Sequence, residues 1–256
     1  MLAGMSSSFT IVAKAGGSGE GFENTCSAIA AALSAIPPPW ARLAIEVDVR
    51  LSADGQLLVL HDATLERTTN GTGRVRGLAL KRLRELRVGA GQEFIPLLEE
   101  VSEQVGDHVL VVDVHDADVA AAQALVRVLQ RLPLRARQRV IVASEHERVV
   151  QATRRLDASL STAASPREAW RKLLLERVRL ERWAARGHTW IVPVRHRGIE
   201  VVTRRFAHAA RRAGDEVWPY VVEEATEATR LRALGSSGCF SCCPQLLCRE
   251  LAARAD

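Results

Sequence analysis

Two carboxylates lie two positions apart on one apolar stretch, the run 43–50 (LAIEVDVR). A β-strand points successive side chains to opposite faces, so Glu46 and Asp48 share one face while their apolar neighbours share the other. Two like charges side by side repel each other and resist the loss of water. Such a pair is tolerated only near water, beside cations or around a metal ion, which predicts a polar site on this strand.

Two more apolar segments end in side chains that bind metals or transfer protons. Residues 57–60 are followed by His61, and the segment 108–116 carries Asp113 and His115 near its end. Carboxylate oxygens are the usual ligands of hard cations, and histidine changes its charge near neutral pH. Three apolar strands with such endings predict one polar site at one end of a sheet, with Asp113 as a third oxygen ligand.

Strands and helices alternate along the chain, and this alternation predicts how the site is positioned. The predicted strands are 9–15, 43–51, 57–60, 108–116, 139–143, 159–163, 190–194, 217–222 and 239–242. The predicted helices are 23–36, 80–86, 97–105, 119–132, 148–156, a long amphipathic segment to about 186, 199–213 and 225–234. Eight or so strands alternating with helices favour the α/β class and a single (β/α)8 TIM barrel over residues 1–256. An open doubly wound sheet is the alternative, although the glycine-rich dinucleotide motif after the first strand is absent.

The composition narrows the class of protein. Hydrophobic residues make up 47% of the 256, which is ample for a buried core, and no apolar run is long enough to span a bilayer. The first eight residues do not read as a signal peptide, and the five cysteines do not form a secreted disulfide framework, so a cytoplasmic location is predicted. The net charge of +5 comes from arginines spread over helical segments, and nucleic-acid binding is not predicted.

Several motifs together resemble the glycerophosphodiester phosphodiesterase family. They are 23–25 (ENT), 46–48 (EVD), 61–62 (HD) and 67–73 (RTTNGTG), which occur in the family's order and at similar spacing. The resemblance covers nearly the whole chain. It implies a TIM barrel of the phospholipase C-like phosphodiesterase type, a small phosphate-containing substrate and a divalent cation, Mg²⁺ or Ca²⁺.

Two segments depart from the family pattern. The family's His-Arg-Gly on the first strand is replaced here by 14–16 (KAG), and its Glu-x-Lys on a later strand is replaced by 113–115 (DVH). A lost electrostatic donor costs about 3 kcal/mol of transition-state stabilisation, so losing the histidine and the arginine together is expected to impair ordinary hydrolysis. A changed reaction such as transfer, cyclisation or elimination in a biosynthetic pathway is therefore expected.

The resemblance assigns a role to each candidate residue. The assigned residues are His61, Lys14 and His115 for catalysis, Arg67, Glu23 and Tyr220 for substrate binding, and Glu46, Asp48 and Asp113 for the metal. All but Tyr220 also have a structural alternative: the acids as solvated partners of arginines, the histidines as strand-end residues, Lys14 as an ordinary surface lysine, Glu23 as a helix cap and Arg67 as a loop brace. Tyr220 stands where the family usually has tryptophan.

Lys14 leaves three roles open. It could hold the substrate phosphate in place of the missing arginine, or occupy the metal position as a built-in cation. It could also act as a base or amine nucleophile if burial lowers its pKa.

Two classes of function follow from these residues. The first is a divergent enzyme acting on a phosphate ester, and the second is a catalytically inactive relative that serves as a binding or partner protein. The oligomeric state is left open. The four cysteines at 239, 242, 243 and 248 favour buried thiols over a zinc site, with 239 and 243 on one face of the last strand and 248 in a helix.

Overall fold

Strands and helices alternate through the computed structural model, which describes residues 8–89, 91, 93–177 and 188–254. The strands are β1 (Phe9–Ala13), β2 (Ala41–Leu51), β3 (Leu57–Val59), β4 (Arg87–Val88), β5 (Glu93–Phe94), β6 (Val109–Val114), β7 (Val140–Ala143), β8 (Ser161–Thr162), β9 (Thr189–Pro193), β10 (Arg195–His196), β11 (Ile199–Glu200), β12 (Glu216–Tyr220) and β13 (Gly238–Ser241). The helices are α1 (Cys26–Leu33), α2 (Leu80–Leu83), α3 (Leu98–Val105), α4 (Val119–Arg131), α5 (Leu134–Arg137), α6 (Glu147–Leu156), α7 (Pro166–Arg177), α8 (Arg204–Arg212), α9 (Ala225–Leu234) and α10 (Pro244–Ala253).

Eight parallel strands close into a barrel. Six of them form one ladder in the order β13-β1-β2-β6-β7-β8, and β9 pairs with β12. A parallel bridge between Ala163 and Thr189 joins β8 to β9. The amide of Val222 donates to the carbonyl of Phe240 at 2.8 Å and joins the β12 segment to β13. The predicted (β/α)8 barrel is therefore confirmed.

Apolar faces of the outer helices cover the barrel strands. Helix α4 buries Ala121, Leu125 and Leu129 in one cluster with β2 and β6, because these residues recur every four positions. Side-chain caps fix where the helices begin: Thr25 accepts from the third amide of α1, and Asp118 does the same for α4. Among the described residues, no helix is long and apolar enough to cross a membrane.

The predicted strand 57–60 does not belong to the barrel. It forms β3, which runs antiparallel to the end of β2 and places the amide of Leu60 2.9 Å from the carbonyl of Asp48. Strand β2 extends past the barrel, and β3 folds back along that extension. His61 therefore returns to the level of Asp48 by a hairpin and not by a crossover helix.

Two other predictions differ from the structure in the later half. The predicted helix 199–213 begins as the hairpin of β10 and β11, because Arg197 and Gly198 both have positive φ and form its turn; helix α8 starts only after Thr203 caps it. Of the helix predicted to extend to about 186, the described part ends at Arg177, and 178–187 lie outside the described residues.

Candidate active site

Three carboxylates meet at the carboxyl ends of two neighbouring strands. Asp48 on β2 pairs in register with Asp113 on β6, and Glu46 lies one strand repeat earlier on the same face as Asp48. One oxygen from each of these three acids lies within 4.8 Å of the others. The alternation of side chains along β2 thus produces the oxygen cluster expected from the sequence.

Burial and hydrogen bonds set the charges of these acids. Burial, reinforced by the charge of Asp48, raises the pKa of Glu46 well above its ordinary value. Burial also raises the pKa of Asp113, although 32% of its side chain is exposed. Burial opposes the ionisation of Asp48. The hydrogen bonds from His115 and Asn24, with the nearby charges of His115 and Lys14, outweigh burial and lower the pKa of Asp48. Asp48 is therefore the acid of the cluster whose ionised form is best stabilised.

Asn24, which was not among the residues predicted from the sequence, holds Asp48 with its side chain and binds with its backbone the residue that holds Glu46. Asn24 donates from Nδ2 to Asp48 Oδ2 at 2.8 Å, and its Oδ1 accepts from the amide of Asp48 at 3.1 Å. Its own amide donates to the carbonyl of Ala15, whose amide in turn donates to Glu46 Oε2 at 2.6 Å. Asn24 and Ala15 both have positive φ, which asparagine tolerates better than most residues. The clue to Asn24 in the sequence was its position in the 23–25 motif, next to Glu23, which was predicted to bind substrate.

Lys14 extends from the end of β1 into the neighbourhood of the acids. It begins a 3-10 turn over residues 14–16 directly after the strand. Burial lowers the pKa of Lys14, but the charges of Glu46, Asp48 and other acids outweigh burial and raise it. The side chain is therefore an ammonium ion at neutral pH. This direction is opposite to the one that the base or amine-nucleophile alternative requires.

A chain of charged groups orients His61. Its Nδ1 atom lies 2.7 Å from Asp62 Oδ1, and Asp62 also accepts from Arg67 at 2.6 Å. Arg67 binds Glu23 through two hydrogen bonds of 2.8 and 2.6 Å. The hydrogen bond from Arg67 is the main cause of the lowered pKa of Asp62, which stays ionised. Arg67 and Glu23, predicted to bind substrate, are thus paired with each other behind His61.

His115, the residue directly after β6, lies between two of the acids. Its Nε2 atom lies 2.8 Å from Asp48 Oδ1 and 3.6 Å from Asp113 Oδ2. Burial lowers the pKa of His115, but the hydrogen bond to Asp48 and the nearby acids outweigh burial and raise it. The imidazole ring packs against that of His61, with 4.5 Å between their centroids. The raised pKa therefore favours the positively charged ring of His115 at the point where the family pattern has lysine.

A cavity of about 390 Å³ opens beside these groups. Its polar lining includes Lys14, Glu46, Asp113 and His115. Its apolar and aromatic lining includes Trp170, Ile191, Val192, Phe240 and, at 39% exposure, Tyr220. A larger cavity of about 1070 Å³ lies at the amino-terminal ends of the strands, near Arg42 and His108, away from the candidate residues.

All five cysteines are free thiols, so the described part of the chain contains no disulfide. Cys239 and Cys248 are buried, which confirms the prediction of buried thiols for these two. The prediction that Cys239 and Cys243 share a strand face is wrong, because β13 ends at Ser241 and Cys243 caps α10. The amides of Cys242 and Cys243 both donate to Glu223, which holds this turn at the barrel mouth.

Comparison of the chain with known proteins gives matches along nearly its whole length. The model of the Glycerophosphoryl diester phosphodiesterase family matches residues 4–241. A candidate glycerophosphodiester phosphodiesterase of Bacillus subtilis is 27% identical over 249 residues, which are 94% of this chain and 97% of that protein. A glycerophosphodiester phosphodiesterase of Caldanaerobacter subterraneus is 43% identical over 76 residues, and this match spans only 27% of the chain and 31% of that protein.

Solved structures share the barrel. The glycerophosphoryl diester phosphodiesterase domain of an uncharacterized protein from Mycobacterium tuberculosis has a TM-score of 0.81 at 19% identity and covers 95% of this chain and 99% of that chain. An Oleispira antarctica phosphodiesterase in complex with the product sn-glycerol-3-phosphate has a TM-score of 0.74 at 23% identity and covers 96% of both chains. At these identities the likeness establishes the fold.

Proposed function

The chain belongs to the glycerophosphoryl diester phosphodiesterase family, and from this membership we propose that it is a divergent enzyme acting on a small phosphate ester at the barrel mouth. The observation that carries the proposal is the convergence of three carboxylate oxygens within 4.8 Å beside the oriented imidazole of His61. A related phosphodiesterase holds sn-glycerol-3-phosphate as its product. The five free thiols are in keeping with a cytoplasmic site of action.

The donor set at the mouth suits a hard divalent cation. Glu46, Asp48 and Asp113 each offer one carboxylate oxygen, the ligand type that Mg²⁺ and Ca²⁺ prefer. We assign the cation to these three residues. When bound, it would neutralise the developing charge on the phosphoryl oxygens. The ammonium of Lys14 already lies in the field of the same acids and repels a divalent ion, so binding is expected to be weaker than with a neutral residue at position 14.

Lys14 takes over the role of phosphate-holding cation. Position 15, where the family pattern has arginine, is an alanine and offers no charge. Lys14 is charged and lines the cavity, and His115, whose raised pKa favours the protonated ring, lines it as well. An anionic phosphate ester therefore meets two cations of this chain in the polar lining of the cavity.

His61 acts as the proton donor to the leaving group. Nδ1 is engaged by Asp62, so the protonated ring gives its Nε2 proton to the alkoxide as the ester P–O bond breaks. The new P–O bond comes from water in hydrolysis, or from a substrate hydroxyl in cyclisation or transfer. The attacking oxygen gives its proton to a carboxylate of the acid cluster, and solvent carries a proton from that acid back to His61, so protons balance over the cycle. The absence of a guanidinium at position 15 favours an intramolecular hydroxyl, whose attack needs less positioning by the protein.

The inactive binding protein remains the second candidate. One observation favours it: Lys14 and His115 partly neutralise the acid cluster without any metal. A site balanced in this way can bind a phosphate group and leave the ester bond intact.

Product release from glycerophosphodiesters, measured with Mg²⁺, Ca²⁺ or a chelator, tests the proposal. We expect metal-dependent turnover or cyclic phosphate formation that falls at least about 100-fold in Glu46→Gln and His61→Gln. Glu103→Gln, at an exposed position on α3, is the matched control. Saturable ligand binding with no bond cleavage under any of these conditions would support the binding protein and reject the enzyme.

A further inference from the structure

We propose that Asp48, His61 and His115 form a second metal site with two nitrogen donors and one oxygen donor, suited to a borderline cation such as Zn²⁺. One ligand atom from each of these residues lies within 4.8 Å of the other two. Two imidazoles and a carboxylate are a donor set that first-row transition metals and zinc accept readily. The site shares only Asp48 with the carboxylate cluster, and it exists because a histidine occupies position 115.

The imidazole of His61 is oriented as a metal ligand requires. Its Nδ1 atom is bound by Asp62 at 2.7 Å, which leaves Nε2 as the available donor. A ligating histidine commonly has its other nitrogen held by a carboxylate, because this fixes the tautomer and raises the basicity of the free nitrogen. Asp62 is itself fixed by Arg67 through both of its oxygens. The second layer of such a site is therefore already built.

One guanidinium fixes the backbone of both histidines. Arg50 donates from Nε to the carbonyl of His61 and from Nη1 to the carbonyl of His115, each at 2.8 Å. Asp116 lies 3.8 Å from the same guanidinium. The two rings then lie with centroids 4.5 Å apart. The donors are positioned by the fold before any cation arrives, so little ordering is needed on binding.

The distance between the donor atoms of Asp48 and His115 is also close to the one that a zinc ion requires. His115 Nε2 and Asp48 Oδ1 are 2.8 Å apart. Two ligands that each lie about 2.0–2.2 Å from a tetrahedral zinc ion are roughly 3.3–3.6 Å apart, so a cation can replace the proton between them once the two atoms separate by about half an ångström or slightly more. Only 2% of the Asp48 side chain and 15% of the His115 side chain are exposed, whereas 43% of the His61 side chain is exposed and gives an entering ion access to the site.

The proposed site and the carboxylate cluster should prefer different metals, because the proposed site contains nitrogen donors. Mg²⁺ and Ca²⁺ take oxygen ligands, whereas imidazole suits zinc and the later first-row ions. Occupation would also take the Nε2 lone pair that His61 needs for proton transfer, so a bound zinc ion would stop turnover. The proposal does not depend on turnover, because binding of the metal itself can be measured.

Calorimetry with ZnCl₂ and visible absorption with CoCl₂ test the site in the full chain. We expect one strongly bound ion, with affinity lowered at least about 100-fold in His61→Gln and in His115→Gln. Asp62→Asn, which alters only the orienting partner, is expected to weaken binding about 10- to 100-fold. His208→Gln, at an exposed position on α8, should leave the affinity unchanged.

A measurement on the unaltered protein covers the case in which a variant does not fold. Imidazole ¹H–¹⁵N correlation spectra should show the nitrogen resonances of two histidines shifting together with one equivalent of Zn²⁺. Shifts confined to other histidines, or zinc affinity equal in His115→Gln and the unaltered chain, would overturn the proposal. Mg²⁺- or Ca²⁺-dependent turnover would still stand in that event, so the two proposals fail separately.

Discussion

His115 Nε2 lies 2.8 Å from Asp48 Oδ1, so the histidine directly after β6 is bound to an acid on the adjacent strand β2. The pair is nearly buried, with 15% and 2% of the two side chains exposed. Each partner stabilises the charged form of the other: the pKa of Asp48 is lowered and that of His115 is raised. The contact therefore contributes most to stability while both groups are charged.

The pH dependence of stability should report this pair. The contribution of Asp48 is present above its unfolded pKa of about 3.9 and is lost as the pH falls through its lower folded pKa. The contribution of His115 is full below its unfolded pKa of about 6.5 and is lost as the pH rises through its higher folded pKa. Urea unfolding with a chelator should show His115→Gln less stable by about 1.5–3 kcal/mol between pH 4 and 6.5, and by less at pH 9.

His146→Gln is the control, because His146 lies 3.4 Å from Glu145 at the surface and should change stability little. A His115→Gln penalty that is independent of pH would show that the ring contributes by packing and not by charge.

Asn24 is expected to hold the metal-binding strand in place. Asn24→Ala removes both of its hydrogen bonds to Asp48 and places alanine at a φ of 59°, so it should cost about 2–3 kcal/mol of stability in urea unfolding. Divalent-cation affinity should fall with it, because Asp48 loses its fixed orientation. Asn70→Ala, at an exposed residue that accepts one amide, is the control. Unchanged metal binding in a folded Asn24→Ala variant would assign Asn24 to stability alone.

Removing the charge of Lys14 should separate metal binding from phosphate binding. Lys14→Met takes away a cation that repels a divalent ion, so Ca²⁺ affinity should rise about tenfold or more, equivalent to about 1.4 kcal/mol. Inorganic phosphate or substrate affinity should fall by at least as much. Calorimetry with each ligand measures both, and Lys81→Met on the exposed face of α2 is the control. If both affinities fall together, the ammonium supports the site's structure and does not compete with the metal.

The site on β2 was predictable from local sequence, whereas the contacts around it were not. Two acids alternating with valines fix Glu46 and Asp48 on one face whatever the fold. The direction of β3 leaves no such trace, because an apolar run reads the same in a parallel or an antiparallel strand. His61 therefore reaches Asp48 through a hairpin that the pattern could not reveal.

Contacts between residues far apart in the sequence explain why other predicted roles differ from the structure. Arg67 and Glu23 are 44 residues apart, and each alone fits a substrate-binding role. Only the folded chain brings them together behind His61. The direction of the pKa shift of Lys14 likewise depends on three acids supplied by two other strands, so its residue type alone left three roles open.

Restoring the family residues on the first strand is the strongest test of the enzyme proposal. Lys14→His with Ala15→Arg puts a neutral imidazole beside the acids and a guanidinium where the phosphate would otherwise lack one. The backbone needs no change, because Ala15 already has a φ of 47° and its amide already binds Glu46. We expect release of sn-glycerol-3-phosphate from a glycerophosphodiester to rise at least about 100-fold over the unaltered chain, measured with excess Ca²⁺ or Mg²⁺. Each single variant should gain less, because the two groups act on the same phosphoryl charge. A folded, metal-loaded double variant without activity would mean that His115 and the turn at Cys242 and Cys243 also block the reaction.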